Sequence, residues 1–216
     1  EKRHQEGMKV IIIDPRITPA VEKLCDLHLR PLPGTDGALA LGLARELIVN
    51  GWYDNEYVNK NVYGFEQFRD YVLNFTADKV EEITTVPSNH LKLTAKMLWE
   101  NRPMAINQSS AALVHHKNGM QNHRAVMALS ALLGSFDRPG GLIPNPLTYA
   151  HSLGGFVTRD EEFANATYPY DAPAPIGSER FPLWHKMVGE MQACDLSRQI
   201  LSGSPYPIRA LVSHGM

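Results

Sequence analysis

A chain of 216 residues carries 21 Lys and Arg against 23 Asp and Glu, a formal charge of -2, with 44% hydrophobic and 20% charged residues. That length buries a sizeable core as one large domain or two smaller ones. The near-neutral balance gives no reason to expect nucleic acid or an anionic membrane surface as partner. No apolar run approaches the roughly 20 residues of a bilayer span, so direct membrane insertion is not expected.

The opening "EKRHQEGMKV" reads as the polar tail of a helix and lacks the apolar stretch of a signal peptide. "MKVIIID" is a continuous apolar run closed by a charge, the pattern of a parallel strand covered on both faces. "TPAVEKLCDL" predicts a short helix with Thr18 as N-cap and Pro19 in its first turn, and "HLRPL" a short extended run. In "GALALGLARELIVNGW", Leu39, Leu43 and Leu47 recur at i, i+4 and i+8, so a helix packs there and stops at Gly51.

Residues 54–100 are amphipathic and helical in pattern, with Thr76 starting one helix and Ser88 or Asn89 capping the last. "RPMAINQSS" predicts a strand ending in small polar residues. "HHKNGMQNHRAVMALSALLGSFDRPGGL" predicts a loop, then a helix with Ala125, Leu129 and Leu132/Leu133 on its buried stripe. Gly134 ends that helix and "DRPGG" makes a turn. Residues 143–182 are rich in Pro, Gly and Tyr without periodicity, as in a stretch that lines a site or packs on another domain. A last amphipathic helix, "FPLWHKMVGEMQACDLSRQIL", precedes the strand "IRALVSH".

Alternating strands and helices imply an α/β fold: mostly parallel sheet built of Rossmann-like βα units flanked by helices, one unit over 1–106 and a second over 107–216. Both chain ends run flush against a strand, so the chain is expected to be a central piece of a longer polypeptide, with the second unit truncated. Cys25 and Cys194 lie far apart, which excludes a C-x-x-C motif and makes a zinc or iron–sulfur site within this chain unexpected. Each reads as a small buried apolar residue.

Ligands of parallel sheets bind beyond the carboxyl ends of the strands, here marked by "DPR", "PGTD", "NQSS" and "SHGM". In "PGTD", Gly34 permits a conformation closed to other residues, and the helix start suits an anion. Two oxygens of Asp36 can also accept from the adjacent N1–H and N2 amino donors of guanine, a donor pair that adenine lacks. The plain alternative is an N-cap by Thr35 or Asp36. Asp14 at a strand end suits a ribose hydroxyl and Arg16 a phosphate or base, the alternative being a surface turn. Asn107, Gln108, Ser109 and Ser110 offer donors and acceptors to a polar heterocycle. His115 and His116 are adjacent and point apart, which disfavours a metal pair and leaves one of them to bond a cofactor, or both to a solvated loop. Neither G-x-G-x-x-G nor a Walker A pattern occurs, so an independent NAD or ATP site is disfavoured.

Taken together, "KVIIIDPRITPAVEKLCDLHLRPLPGTDGALALGLARELI" resembles the molybdopterin guanine dinucleotide-binding stretch of molybdopterin oxidoreductases, the dimethyl sulfoxide reductase family. The family pattern is a strand ending in D-P-R, then T-x-x-A, then a hydrophobic-proline-G-[TS]-D helix start. "HKNGMQNHRAVMALSALLGSFDRPGGL" is similar to its H-x-x-G, L-x-x-L-x-G and R-P-G-G elements. The resemblance implies that Pro33, Gly34, Thr35 and Asp36 hold the guanosine end. Asp36 would read the base, Asp14 would lie near the ribose, and Arg16 would lie close by. Asn107, Gln108, His116 and Gly119 complete the implied cofactor-binding set.

It further implies two α/β units in tandem, each serving one of two dinucleotides around molybdenum or tungsten, for oxygen-atom or electron transfer on a small substrate. An iron–sulfur cluster belongs to the missing N-terminal region, the metal's protein ligand lies upstream, and a C-terminal domain closes over both pterins. No residue here is therefore assigned as catalytic or metal-ligating. The piece alone is expected to be inactive and free of cofactor. Its implied partners are the missing N- and C-terminal domains and an iron–sulfur electron-transfer subunit. The resemblance fits a bacterial or archaeal enzyme, periplasmic or cytoplasmic. Two other readings stand beside it: a family subunit that has lost the metal, as in the large iron–sulfur subunit of respiratory NADH dehydrogenase, and an unrelated doubly wound nucleotide-binding module.

Overall fold

A computed structural model describes residues 1–108, 110–143, 173–188 and 191–212. Its contacts divide the chain into two compact units, Glu1–Asn145 and Pro146–Met216. Position 106/107 lies within the first of these units.

The first unit opens with α1 (Lys2–Gln5) and a βαβ turn of chain: β1 (Ile11–Ile13), α2 (Pro19–Leu24) and β2 (Leu27–Leu29). The strands are parallel, with Ile11, Ile12 and Ile13 opposite Leu27, His28 and Leu29. Thr18 caps α2 through a hydrogen bond that its hydroxyl accepts from Val21 N, and Pro19 sits at the first position as its fixed φ favours. Asp26 ties the entry of β1 to that of β2. Its carboxylate accepts from Val10 N at 2.8 Å, from Lys9 Nζ at 3.0 Å and from His4 Nε2 at 3.0 Å.

The helices that follow are α3 (Asp36–Val49), α4 (Asn55–Asn61), α5 (Phe65–Val72), α6 (Ala77–Thr84), α7 (Ser88–Glu100), α8 (Ser110–Val114) and α9 (Gly119–Leu132). α3 is the hub and packs on α9, α7, α6 and α5. Leu39, Leu43 and Leu47 of α3 are buried as their spacing requires, against Val58, Val72, Val80, Leu91, Ala125, Leu129, Leu132 and Leu133. Each leucine or valine side chain so taken from water contributes about 1.5–3 kcal/mol before conformational entropy is subtracted.

The second unit, in its described part, holds α10 (Pro182–Val188), a single 3₁₀ turn (Ala193–Asp195) and α11 (Leu196–Ser202). The fully buried Asp195 accepts from Arg180 at 2.6 Å and from two nitrogens of Arg198 at 2.9 and 2.6 Å. The Arg198 hydrogen bonds hold its pKa down at about 2, with help from Arg180 and against the cost of burial.

Several expectations are corrected. Among the described residues the fold is mixed α/β but mostly helical, with a sheet of two strands. Residues 102–108 run without a ladder, since Met104 N donates to Ser135 Oγ rather than to a neighbouring strand. Residues 208–212 likewise pair with no strand among the described residues, and Leu211 and Val212 are exposed. The expected single helix over 181–201 is two helices, with residues 191–192 between them outside either and Gln192 N turned to Ile176 O. At α7 the N-cap position is Pro87 and not Ser88 or Asn89; Ser88 N instead donates to Glu81 Oε2. Cys25 is half-buried and Cys194 exposed, neither a core residue. Most of the 143–182 stretch, together with Ser109 and the final "SHGM", lies outside the described residues.

Candidate functional site

Parallel pairing puts the exits of β1 and β2 side by side, and both exits carry polar loops. Asp14 follows β1 and continues the ladder by one bond, its N–H donating to Leu29 O at 3.1 Å. Its Oδ1 accepts from Arg16 N at 2.8 Å and from Arg16 Nε at 3.4 Å, closing the D-P-R turn on itself. The Arg16 backbone N–H, then its side chain, holds the Asp14 carboxyl below the usual carboxylate range. Asp14 Oδ2 accepts no hydrogen bond among the described residues, and the Arg16 side chain is 80% exposed. His28 and Arg30, which the sequence reading passed over, reach into this turn from β2. His28 Nε2 bonds Asp14 O at 2.8 Å and Arg30 Nε donates to Pro15 O at 3.2 Å.

The loop after β2 is anchored where Leu32 N donates to Thr84 O at the end of α6. Gly34 then adopts φ +86, which side-chain-bearing residues avoid, and turns the chain into α3. Thr35 occupies the N-cap position, yet its hydroxyl donates backward to Leu32 O at 2.7 Å and caps nothing. Asp36 is the first helical residue, half-buried, and among the described residues nothing hydrogen-bonds or ion-pairs its carboxylate. The reading of Thr35 or Asp36 as an ordinary side-chain N-cap is thereby corrected. The first turn of α3 keeps its free N–H groups and a spare carboxylate together.

The α8–α9 loop closes on this corner. The His116 ring lies over Gly34, with Nδ1 3.4 Å from where a Cβ would stand, while Nε2 bonds Ala112 O at 3.0 Å. That second bond places the proton on Nε2 and turns Nδ1 toward the P-G-T-D turn. Gly119 begins α9 and is buried; its N–H donates to His116 O at 3.0 Å. Asn122, three residues on and also missed, is 2% exposed and sits against Gly37. Its signal was legible: Asn122, Ala125 and Leu129 share one buried stripe, and a polar residue on such a stripe needs a reason. Asn107 is exposed and bonds nothing among the described residues. Gln108 packs on α9 at Met127, its Nε2 3.6 Å from the sulfur and its Oε1 enclosed without a partner. Met127 lies eight residues beyond Gly119, about 12 Å along the helix. So Gly34, Thr35, Asp36, His116 and Gly119 gather around the two helix starts, Asp14 and Arg16 stand at the adjacent strand exit, and Gln108 packs farther along α9.

A βα turn of this kind, with free N–H groups at a helix start and carboxylates beyond two parallel strands, is the kind of place where parallel-sheet folds take ligands. Comparison with known proteins makes it specific. The family model for molybdopterin oxidoreductase matches residues 1–194. The dimethyl sulfoxide/trimethylamine N-oxide reductase of Rhodobacter capsulatus is 33% identical over 156 residues, 69% of this chain and 18% of that protein. Acetylene hydratase of Syntrophotalea acetylenica is 34% identical over 132 residues, 61% of this chain and 18% of that protein. Formate dehydrogenase H of Escherichia coli is 26% identical over 70% of this chain and 21% of its own length. The solved structure of acetylene hydratase from Pelobacter acetylenicus superposes with a TM-score of 0.69 at 24% identity, covering 94% of this chain and 30% of that one. The chain belongs to the molybdopterin oxidoreductase family, which removes the reading as an unrelated nucleotide-binding module. It spans about a fifth of the length of these curated relatives.

Proposed function

We propose that this chain supplies the nucleotide-binding corner for one molybdopterin guanine dinucleotide of a molybdenum- or tungsten-dependent oxidoreductase. The observation that carries the reading is Asp36: a half-buried carboxylate, unpaired among the described residues, at an uncapped helix start beside two parallel strand exits. An acceptor pair without donors matches the N1–H and N2 amino groups of guanine. Asp14 Oδ2 would take a ribose hydroxyl. Gly34, with the His116 ring over it, turns the chain so that the free N–H groups of α3 would meet the linking phosphates. Arg16, exposed at the same exit, would add a mobile cation. These groups fit the nucleotide end of such a cofactor. When bound, the cofactor supplies the redox centre, and this chain supplies orientation and electrostatics.

Beyond that corner, the Rossmann-like arrangement around a longer parallel sheet, the second dinucleotide, an upstream iron–sulfur cluster and an iron–sulfur electron-transfer subunit are the full enzyme's expected complement. Asn107 and Gln108 are proposed to face the cofactor beyond its nucleotide end. The related proteins carry names as different as a reductase, a dehydrogenase and a hydratase, so the substrate is set outside this chain. Titration of the 216-residue chain with GDP and ADP tests the reading. Preference for GDP supports it, and equal affinity for the two removes guanine recognition from this corner.

A further inference from the structure

The turn after β1 is held from the neighbouring strand. His28 and Arg30 are two residues apart along β2 and its exit, so they share a face, while Leu29 between them is buried on the other. His28 Nε2 bonds the carbonyl of Asp14 at 2.8 Å, and Arg30 Nε donates to the carbonyl of Pro15 at 3.2 Å. The Asp14 N–H is already spent on Leu29 O, and Asp14 Oδ1 on Arg16. Every backbone polar group of the Asp14–Pro15 pair is therefore engaged, proline having no N–H, and one carboxylate oxygen alone is left over.

We infer that His28 and Arg30 are positioning residues for nucleotide binding: they fix the D-P-R turn so that Asp14 Oδ2 is presented to a ribose hydroxyl. The inference rests on the guanosine reading of the site. Arg16 alone cannot do this, because its contacts to Asp14 are internal to the turn and move with it. The clamp refers the turn to β2, the strand that leads directly into the P-G-T-D loop and α3.

The test compares wild type, His28→Ala, His28→Gln and Arg30→Ala in calorimetric titrations with GDP and with 2′,3′-dideoxy-GDP. Melting curves verify that each variant is folded; Arg30 is exposed, so Arg30→Ala carries the test should His28→Ala not fold. Losing one oriented hydrogen bond predicts GDP affinity weakened on the order of three- to tenfold in both Ala variants. Affinity for the dideoxy analogue stays at the wild-type value, and His28→Gln, which keeps an N–H donor, stays near wild type for GDP. Equal losses for GDP and the dideoxy analogue would reduce the clamp to a structural role and overturn the inference. Unchanged GDP affinity in both Ala variants would overturn it as well, while leaving the guanosine reading intact. Wild type that fails to prefer GDP over ADP would overturn the guanosine reading and this inference with it.

Discussion

A Cβ built on Gly37 would stand 2.4 Å from Asn122 Oδ1 and 3.3 Å from Asn122 Cα. Gly37 is the second residue of α3 and Asn122 the fourth of α9, so the two helices touch at their first turns. Their positive ends lie side by side, which concentrates donor character at one corner of the unit.

That contact makes Gly37→Ala the first prediction. Alanine in a helix gains up to about 1 kcal/mol over glycine, but overpacking a closed seam costs about 1–3 kcal/mol. Asn122 is buried and its backbone is part of the obstacle, so rotation of its amide alone does not clear the space. The expected net is a loss of about 1–2 kcal/mol in urea unfolding. Stability equal to or above wild type would mean that α9 can move away freely and that the seam is not tight.

Asp36→Ala separates recognition from capping. The Asp36 side chain makes no cap bond, so its loss should cost stability only through the helix dipole, about 0.3–1 kcal/mol. A charge-assisted pair to guanine is worth more, and GDP affinity should weaken by about 1–3 kcal/mol, with ADP affinity unchanged. Titration and a thermal melt on the same sample decide it. A large stability loss with unaltered GDP binding would return Asp36 to a structural role.

The sequence foretold this corner unevenly, and the reasons are physical. β1, α2 and α3 were legible because local rules fixed them: the Ile11–Ile13 run, Thr18 before Pro19, and Leu39, Leu43 and Leu47 on one stripe. Gly34 and Gly134 were legible as turns and both take positive φ. The strands expected over 102–110 and 208–214 depend on partners rather than on their own residues, and the described parts of both runs have no ladder. The contact of His116 with Gly34 joins positions 82 residues apart, which no local pattern encodes. His28 was passed over because one histidine in an extended run looks like any other until the register sets it beside β1.

Acid should unfasten the first unit at Asp26. The Val10 N–H, then the Lys9 ammonium and the His4 ring, hold its pKa at about 2, against an ordinary value of 3.8. The unfolded chain therefore takes up this proton first as pH falls. The contribution of Asp26 is complete above about pH 4 and is lost as pH drops toward 2. Asp26→Asn keeps an acceptor for Val10 N but cannot titrate, so its unfolding free energy should fall less steeply across that window than wild type does. Parallel curves for the two proteins would show that Asp26 is not held in its charged form by the fold.

Thr84 makes the last prediction, because it joins the end of α6 to the loop that feeds the site. It is fully buried; its hydroxyl donates to Val80 O at 2.7 Å and accepts from Val86 N at 3.1 Å, while its carbonyl accepts from Leu32 N at 2.9 Å. Thr84→Val keeps the branched shape and removes the hydroxyl. Val86, itself 1% exposed, would then hold a buried N–H without an acceptor. Such an orphan costs about 1–3 kcal/mol. The urea midpoint should drop accordingly with an unchanged slope, since the surface exposed on unfolding is the same. An unmoved midpoint would mean that another acceptor reaches Val86 N and that the Thr84 hydroxyl is not what closes this turn.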